Sequence, residues 1–535
     1  MKKERGLLAL DTEDDSRGHV GIINFFDGRA HVTFQGPRLR ERAWAWLVAR
    51  APATVWACQM EYDLLNLFGS EWVGKLCTLQ YVRSGLLRAT LCEAKVLFLD
   101  TLRHWPATVA EMGAEIGLPK LQKNFTSVEY CRRDTEIVWR FVRAMLDRYD
   151  RLGLTLKNTL PSMALQLWRR FYPREMPELP AHVQAFAREA YYGGRVEVYR
   201  QGWVPSGTRH YDVNSLFPSV MARERFPDCR GWRGVRSPDW RLEGVAEVTV
   251  TIPSGGRFPP LPVRADEEIV FPTGRVRGAW VYPELRRAMR DGAVIEEVHA
   301  AVECPRTERP FGGYVRYCYG RRRRAASRID DRFWKLFLNS TYGKFGQQEG
   351  LEVIVNDRSM TLRTNPPKHL CVMWAAYVTA YARLRLLALL RGCRTVYYTD
   401  TDSLFTPDVL PVSTRLGALK LVGVTRRSRG TGFFGNKTYI WNGRAKAKGV
   451  PACGVPEHAR GCSCTAMAFI EAGRAIFRRP ARLRESRRTF AEANVWYEVE
   501  KRRDASYTKR RVLPSGETVA WDYAEYLHFM KGGGP

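Results

Sequence analysis

One short run limits what this chain can fold into: Val396-Tyr397-Tyr398-Thr399-Asp400-Thr401-Asp402-Ser403-Leu404-Phe405. Its β-branched and aromatic residues predict a strand, yet two aspartates interrupt it two positions apart. Strand side chains alternate faces, so Asp400 and Asp402 are expected on the same side, at or just past a strand end. The two carboxylates repel there, and an apolar strand gains nothing from burying them unpaired. A hard divalent cation shared with a third carboxylate resolves that conflict. A surface β-turn accounts for the same residues, because Thr-Asp-Thr-Asp-Ser is good turn chemistry. This stretch alone leaves both open.

At 535 residues the chain has length for several domains, each with its own core. Lys and Arg number 85 against 56 for Asp and Glu, a net charge of +29. That excess implies a polyanionic partner, nucleic acid first; codon bias toward Arg accounts for part of it equally well. Twelve cysteines, mostly scattered singly, predict reduced thiols and a cytoplasmic setting rather than a disulfide framework. No signal peptide is expected, since Met1-Lys2-Lys3-Glu4-Arg5 leads into a short apolar run that stops at Asp11. The apolar stretch 370–390 contains Arg383 and Arg385, which predicts a buried helix and no membrane span.

From the N-terminus, a short buried strand over residues 6–10 is predicted to run into Asp11-Thr12-Glu13-Asp14, followed by a hairpin turning at Asp27-Gly28. A further strand ends near Gln59-Met60-Glu61-Tyr62-Asp63, and another leads to Asp100-Thr101-Leu102. Tyr130 and Asp134 sit one helical turn apart on one face. Asp11, Glu13, Asp63 and Asp134 therefore fall at strand ends or on a helix face. Such a set can hold two divalent metals that activate water and stabilise a leaving phosphate oxygen. Their order and spacing resemble the 3′–5′ exonuclease domain of DNA polymerases: Asp-x-Glu at 11–13, and Tyr-x-x-x-Asp at 130–134. The middle motif departs from the family's Asn-x-x-(Phe/Tyr)-Asp by having Gln59. The resemblance implies DNA contacts at Gln59, Tyr62, Thr101 and Leu102, and a site lysine at Lys120 or Lys123.

Tyr191-Tyr192-Gly193-Gly194 combines base-stacking rings with glycines that let backbone approach a ligand. Asp212-Val213-Asn214-Ser215-Leu216-Phe217-Pro218-Ser219 ends a strand and turns into a helix with Pro218 near its start. Lys335 and Asn339 share a helix face, followed by Ser340-Thr341-Tyr342-Gly343. Four arginines, 321–324, are expected to open that long helix. A hairpin is expected over 351–364, closed by Pro366-Pro367. Asn436-Lys437-Thr438-Tyr439 and Lys446-Ala447-Lys448 follow. These elements are similar, in order, to the motifs of family B DNA polymerases, particularly the protein-primed viral, organellar and mobile-element branch.

The resemblance implies an α/β multidomain chain: an RNase H-like exonuclease domain, then a right-hand palm, fingers and thumb polymerase. The expected divisions are 1–155 exonuclease, 156–225 linker and first palm segment, 226–318 palm insertion, 319–347 fingers, 348–368 hairpin, 369–465 second palm segment and 466–535 thumb. It further implies Asp212 and Asp402 as metal ligands with Asp400 supporting. Ser215, Leu216, Phe217, Lys335, Asn339 and Tyr342 would hold the dNTP. Tyr191, Gly193, Gly194, Lys437, Tyr439 and Lys448 would contact DNA. Two Mg²⁺ (or Mn²⁺) per site, template and primer DNA, dNTPs, a terminal priming protein and a monomeric state complete the expectation. Cys453, His458, Cys462 and Cys464 cluster with a spacing that fits no standard zinc finger, which favours ordinary reduced thiols and leaves a metal site as the lesser alternative.

Overall fold

The computed structural model describes residues 6–15, 18–82, 85–91, 93–122, 124, 126–265, 268–348, 350–356, 359–365, 369–427, 429–454, 458, 462–480, 496–503 and 507–532. Its largest sheet has nine strands. The central three, Gly6–Asp14, Ala53–Ala57 and Val96–Asp100, run parallel, and the strands outside them are antiparallel. The first strand does not stop at Leu10. It continues through Asp14, paired with Val20–Phe26, so Asp11 and Glu13 alternate onto one face. The helix Val128–Arg151 crosses this sheet and buries Tyr130, Asp134 and an apolar stripe from Ile137 to Tyr149.

The expected hairpin forms from Gly350–Asn356 and Ser359–Asn365, but it is not a free-standing insertion. Its first strand pairs with Cys77–Val82, so this excursion from the C-terminal half extends the N-terminal sheet. Pro366 and Pro367 lie outside the described residues, as does Lys123.

A second sheet orders Leu419–Val424, Arg209–Val213, Ser403–Thr406, Tyr398–Asp400 and Val196–Val198, all antiparallel. The helix Val372–Arg391 packs beside it with most of its residues buried. Arg383 survives inside that helix because it is fully partnered. It pairs with buried Glu284 at 2.9 Å and donates to the carbonyls of Tyr192 at 2.7 Å and Gly193 at 2.9 Å.

The four arginines do not open one long helix. Gly312–Arg323 and Arg328–Ser340 are separate helices, and Arg321, Arg322 and Arg323 close the first, where cations favour the negative end of the helix dipole. Ser327 caps the second by accepting from the Asp330 N–H. Between the two halves of the second sheet, residues 233–304 add a four-stranded antiparallel sheet backed by the helix Tyr282–Arg290.

Candidate active sites

Val396–Phe405 is not one strand carrying two acids. Tyr398–Asp400 and Ser403–Thr406 are the arms of a tight hairpin, with Thr401 at φ 61° between the aspartates. A β-branched residue rarely adopts that conformation, so the turn needs outside support. Thr401 N–H donates to the Arg195 carbonyl at 2.8 Å, and Asp402 N–H to the Asp400 carbonyl at 2.6 Å. Gly194 lies directly against the turn: a Cβ there would stand 2.6 Å from Thr401 Cγ2. Arg195 itself is buried with Glu197, which also takes Arg510 at 3.2 Å from the far end of the chain.

Register supplies the third carboxylate. Asp212 pairs across the sheet with Ser403 on one side and Lys420 on the other, and Val213 N–H donates to the Asp402 carbonyl at 2.8 Å. Burial, then the charges of Asp212 and Asp400, raise the Asp402 carboxyl to about 6. Two lysines answer part of this charge: Lys420 Nζ lies 2.6 Å from Asp212, and Lys437 Nζ lies 3.2 Å from Asp400. Carboxylates gathered in this way are hard oxygen donors of the kind that suits a divalent cation.

Above this cluster, Ser215 (φ 53°) precedes the helix Leu216–Arg223, whose first turn has no side-chain cap. Free N–H groups at a helix start favour an anion. Arg322 donates to Ser215 Oγ at 3.1 Å and pairs with Asp331 at 2.8 Å. The Phe217 ring stacks on Tyr342, 4.8 Å between centroids and 14° from parallel. Lys335 and Asn339 are exposed on the neighbouring helix. Tyr191 packs against Gly346, Lys437 N–H donates to the Tyr398 hydroxyl at 3.0 Å, and Lys446 sits over the Tyr439 ring. Lys448 is exposed, and its carbonyl accepts from Lys501.

The N-terminal sheet carries a second acidic cluster. Carboxylate oxygens of Asp11, Glu13 and Asp134 converge within 4.8 Å. Burial, reinforced by Asp134, raises Asp11 to about 8; burial, with Asp11 and Asp134, raises Glu13 to about 9. Asp11 Oδ2 and Asp134 Oδ1 are buried without a hydrogen-bond partner. Three converging acids, two of them with orphaned acceptors, fit a divalent metal. Asp63 stands just outside this trio, buried, accepting from Thr12 Oγ1 at 2.8 Å, its pKa raised by burial and Asp11. Lys120 pairs with Asp134 and lies 4.7 Å from the Tyr130 ring centroid. Burial opposes the Lys120 charge, but Asp134 outweighs it and raises its pKa.

Around this cluster, Gln59 (φ 69°) starts the helix Met60–Phe68, and its N–H donates to Asp100. The Tyr62 hydroxyl donates to Asp14. Thr101 is buried while Leu102 is exposed. Lys420 and the Arg322–Ser215 contact were not anticipated from sequence, because each depends on pairing between distant segments.

Residues 119–365 match the family model for DNA polymerase type B, organellar and viral. The DNA-directed DNA polymerase of Enterobacteria phage PRD1 is 25% identical over 451 residues, covering 76% of this chain and 78% of the phage protein. The chain is thus similar to type B DNA polymerases, in its middle segment and across much of its length. The primer-independent DNA polymerase PolB of Escherichia coli is 26% identical over 387 residues. A probable DNA polymerase of Podospora anserina is 26% identical over 434. The chain spans 44% and 35% of those two relatives' lengths. Phi29 DNA polymerase complexed with primer-template DNA and incoming nucleotide substrates has the same fold: TM-score 0.74 at 15% identity, covering 94% of this chain and all of that one. The fold is thus the mixed α/β, multidomain fold of phi29 DNA polymerase. No helix among the described residues is long and apolar enough to cross a membrane.

Proposed function

We propose that this chain is a DNA-directed DNA polymerase with a 3′–5′ proofreading exonuclease, working as a monomer on template and primer DNA in a reducing cytoplasm. The observation that carries the reading is the meeting of Asp402, in its hairpin turn, with the strand end at Asp212, beside an uncapped helix start. Asp212 and Asp402 hold Mg²⁺ or Mn²⁺, with Asp400 supporting. Held there, such ions would supply Lewis acidity that lowers the pKa of a primer 3′-hydroxyl and offsets charge on the transferred phosphoryl group. The first-turn N–H groups at Ser215 and Leu216, with Arg322 and Lys335, receive the triphosphate. The Phe217–Tyr342 stack supports the nascent base pair, and Phe217 excludes a ribose 2′-hydroxyl by bulk.

In the N-terminal sheet, Asp11, Glu13, Asp63 and Asp134 hold the metals for hydrolysis of a misplaced 3′ nucleotide. Lys120 and Tyr130 position the scissile phosphate, and Gln59, Tyr62 and Leu102 receive the frayed strand. Tyr191, Gly193, Lys437, Tyr439 and Lys448 track primer and template between the two sites. The domain divisions given from sequence are retained as part of this proposal. Initiation from a terminal protein, with residues 226–318 as its contact, is what the family resemblance implies; the Escherichia coli relative is, by its name, primer-independent.

Incubation with single-stranded template, dNTPs and Mg²⁺, with and without an oligonucleotide primer, tests the proposal. Extension of the primer is expected; its absence would refute the polymerase reading. Product in the primer-free arm would assign primer-independent initiation.

A further inference from the structure

Cys453, His458, Cys462 and Cys464 come together in the structure, although their spacing matches no standard finger. Cys453 Sγ lies 3.3 Å from Cys464 Sγ and 3.4 Å from His458 Nδ1. Nδ1 of His458 is also 3.5 Å from Cys462 Sγ and 3.4 Å from Cys464 Sγ. All four ligand atoms fall within 4.8 Å of one another, and the thiols form no disulfide.

Burial does not explain this convergence. The three cysteines are only partly buried and His458 is exposed, so little hydrophobic gain holds them together. Thiols are also weak hydrogen-bonding partners for each other. A shared cation does explain it. Zinc bonds of about 2.3 Å to sulfur and about 2.0 Å to nitrogen imply tetrahedral edges of roughly 3.5–3.8 Å, close to the spacings seen. Three thiolates and an imidazole are a soft donor set that favours zinc over the hard cations suited to the carboxylate clusters. Four protein ligands leave no open position, which marks a structural site.

We propose that Cys453, His458, Cys462 and Cys464 bind one zinc ion that clips the loop after Val450 to the start of the helix Cys464–Ala472. Neighbouring contacts show what the clip would hold. Ala445 N–H donates to Ser463 Oγ at 3.0 Å, and Gly454 N–H to Thr465 Oγ1 at 2.7 Å. That helix packs on the strands Arg444–Lys446 and Arg474–Pro480. The ion therefore ties the basic segment Lys446–Lys448 to the C-terminal strand pair. This role is independent of the carboxylate metals.

The test uses the full chain, purified without added metal or chelator, with metal content measured by inductively coupled plasma mass spectrometry. About one zinc per chain is expected, and Co²⁺ exchange should give tetrahedral d–d bands with thiolate charge transfer. The Cys462→Ser/Cys464→Ser variant should lose both signals, whereas His458→Cys should keep the ion with a shifted cobalt spectrum. The His458→Cys arm remains decisive if the double serine variant fails to fold. Three results would overturn the proposal: folded protein with far less than one zinc and no cobalt bands, full zinc retained in a folded double serine variant, or a Cys453–Cys464 disulfide in the native mass.

Discussion

The rings of Phe217 and Tyr342 stack face to face, 4.8 Å apart and 14° from parallel, joining the helix after Asp212 to the short helix Tyr342–Phe345 that follows the one carrying Lys335. These residues lie more than a hundred positions apart, so the stack fixes how the two helices meet beside the Asp212–Asp402 pair. An aromatic pair of this kind contributes about 0.5–1.5 kcal/mol. Tyr342→Ala is therefore expected to raise KM for dNTPs roughly 2- to 10-fold in steady-state primer extension, with kcat less affected.

If Phe217 lies beneath the incoming sugar as proposed, Phe217→Val removes that bulk. The ratio of ribonucleotide to deoxyribonucleotide kcat/KM should rise by on the order of 10- to 200-fold, the scale set by small steric changes in a pocket. Competition assays with rNTP and dNTP check this, and an unchanged ratio would remove Phe217 from sugar selection.

Gly194→Ala tests the turn between the aspartates. The new methyl would stand 2.6 Å from Thr401 Cγ2 and 3.0 Å from its Oγ1. Thr401 must move, taking Asp400 and Asp402 with it. A displacement near 1 Å is expected to slow synthesis on the order of 100-fold, while 3′ trimming stays at the parent rate. Single-turnover extension and trimming on one substrate measure both.

Much of this was legible in sequence, for identifiable reasons. Asp11, Glu13, Tyr130 and Asp134 are set by spacing within a strand and a helix, and local periodicity carries such information. Lys420 escaped notice because its contact with Asp212 depends on the pairing of strands two hundred residues apart. The left-handed Thr401 was not foreseen because its support comes from Gly194 and the Arg195 carbonyl. The helix break after Arg323 was missed because four arginines are good helix formers, and only the Ser327 cap signals a restart. The cluster of Cys453, His458, Cys462 and Cys464 is visible in the sequence, but reduced thiols remain the favoured reading there because the spacing matches no standard finger and loop geometry leaves no periodic mark.

Metal should stabilise the N-terminal cluster in a pH-dependent way. Asp11 and Glu13, raised to about 8 and about 9, keep protons in the fold that the unfolded chain releases near pH 4. The native state thus binds more protons, so this pair's contribution to stability falls as pH rises from about 4 toward 8–9 without metal. Mg²⁺ displaces those protons and offsets the repulsion. The Mg²⁺-induced rise in Tm over an EDTA control should therefore be larger at about pH 9 than at about pH 6, and Asp11→Asn/Glu13→Gln should abolish the difference.

The most direct measurement concerns Asp402, the acid that burial and its neighbours Asp212 and Asp400 hold at about 6. With Mg²⁺ and 5′-labelled primers on one template, matched at the 3′ end to read extension and mismatched to read trimming, Asp402→Asn should lose extension of the matched primer by at least about 1000-fold, the scale of losing a key charge-stabilising group. Trimming of the 3′ end should remain at the parent rate. Asp11→Ala/Glu13→Ala should show the reverse. Extension that survives Asp402→Asn, or trimming that falls with it, would contradict the assignment of two separate acidic sites.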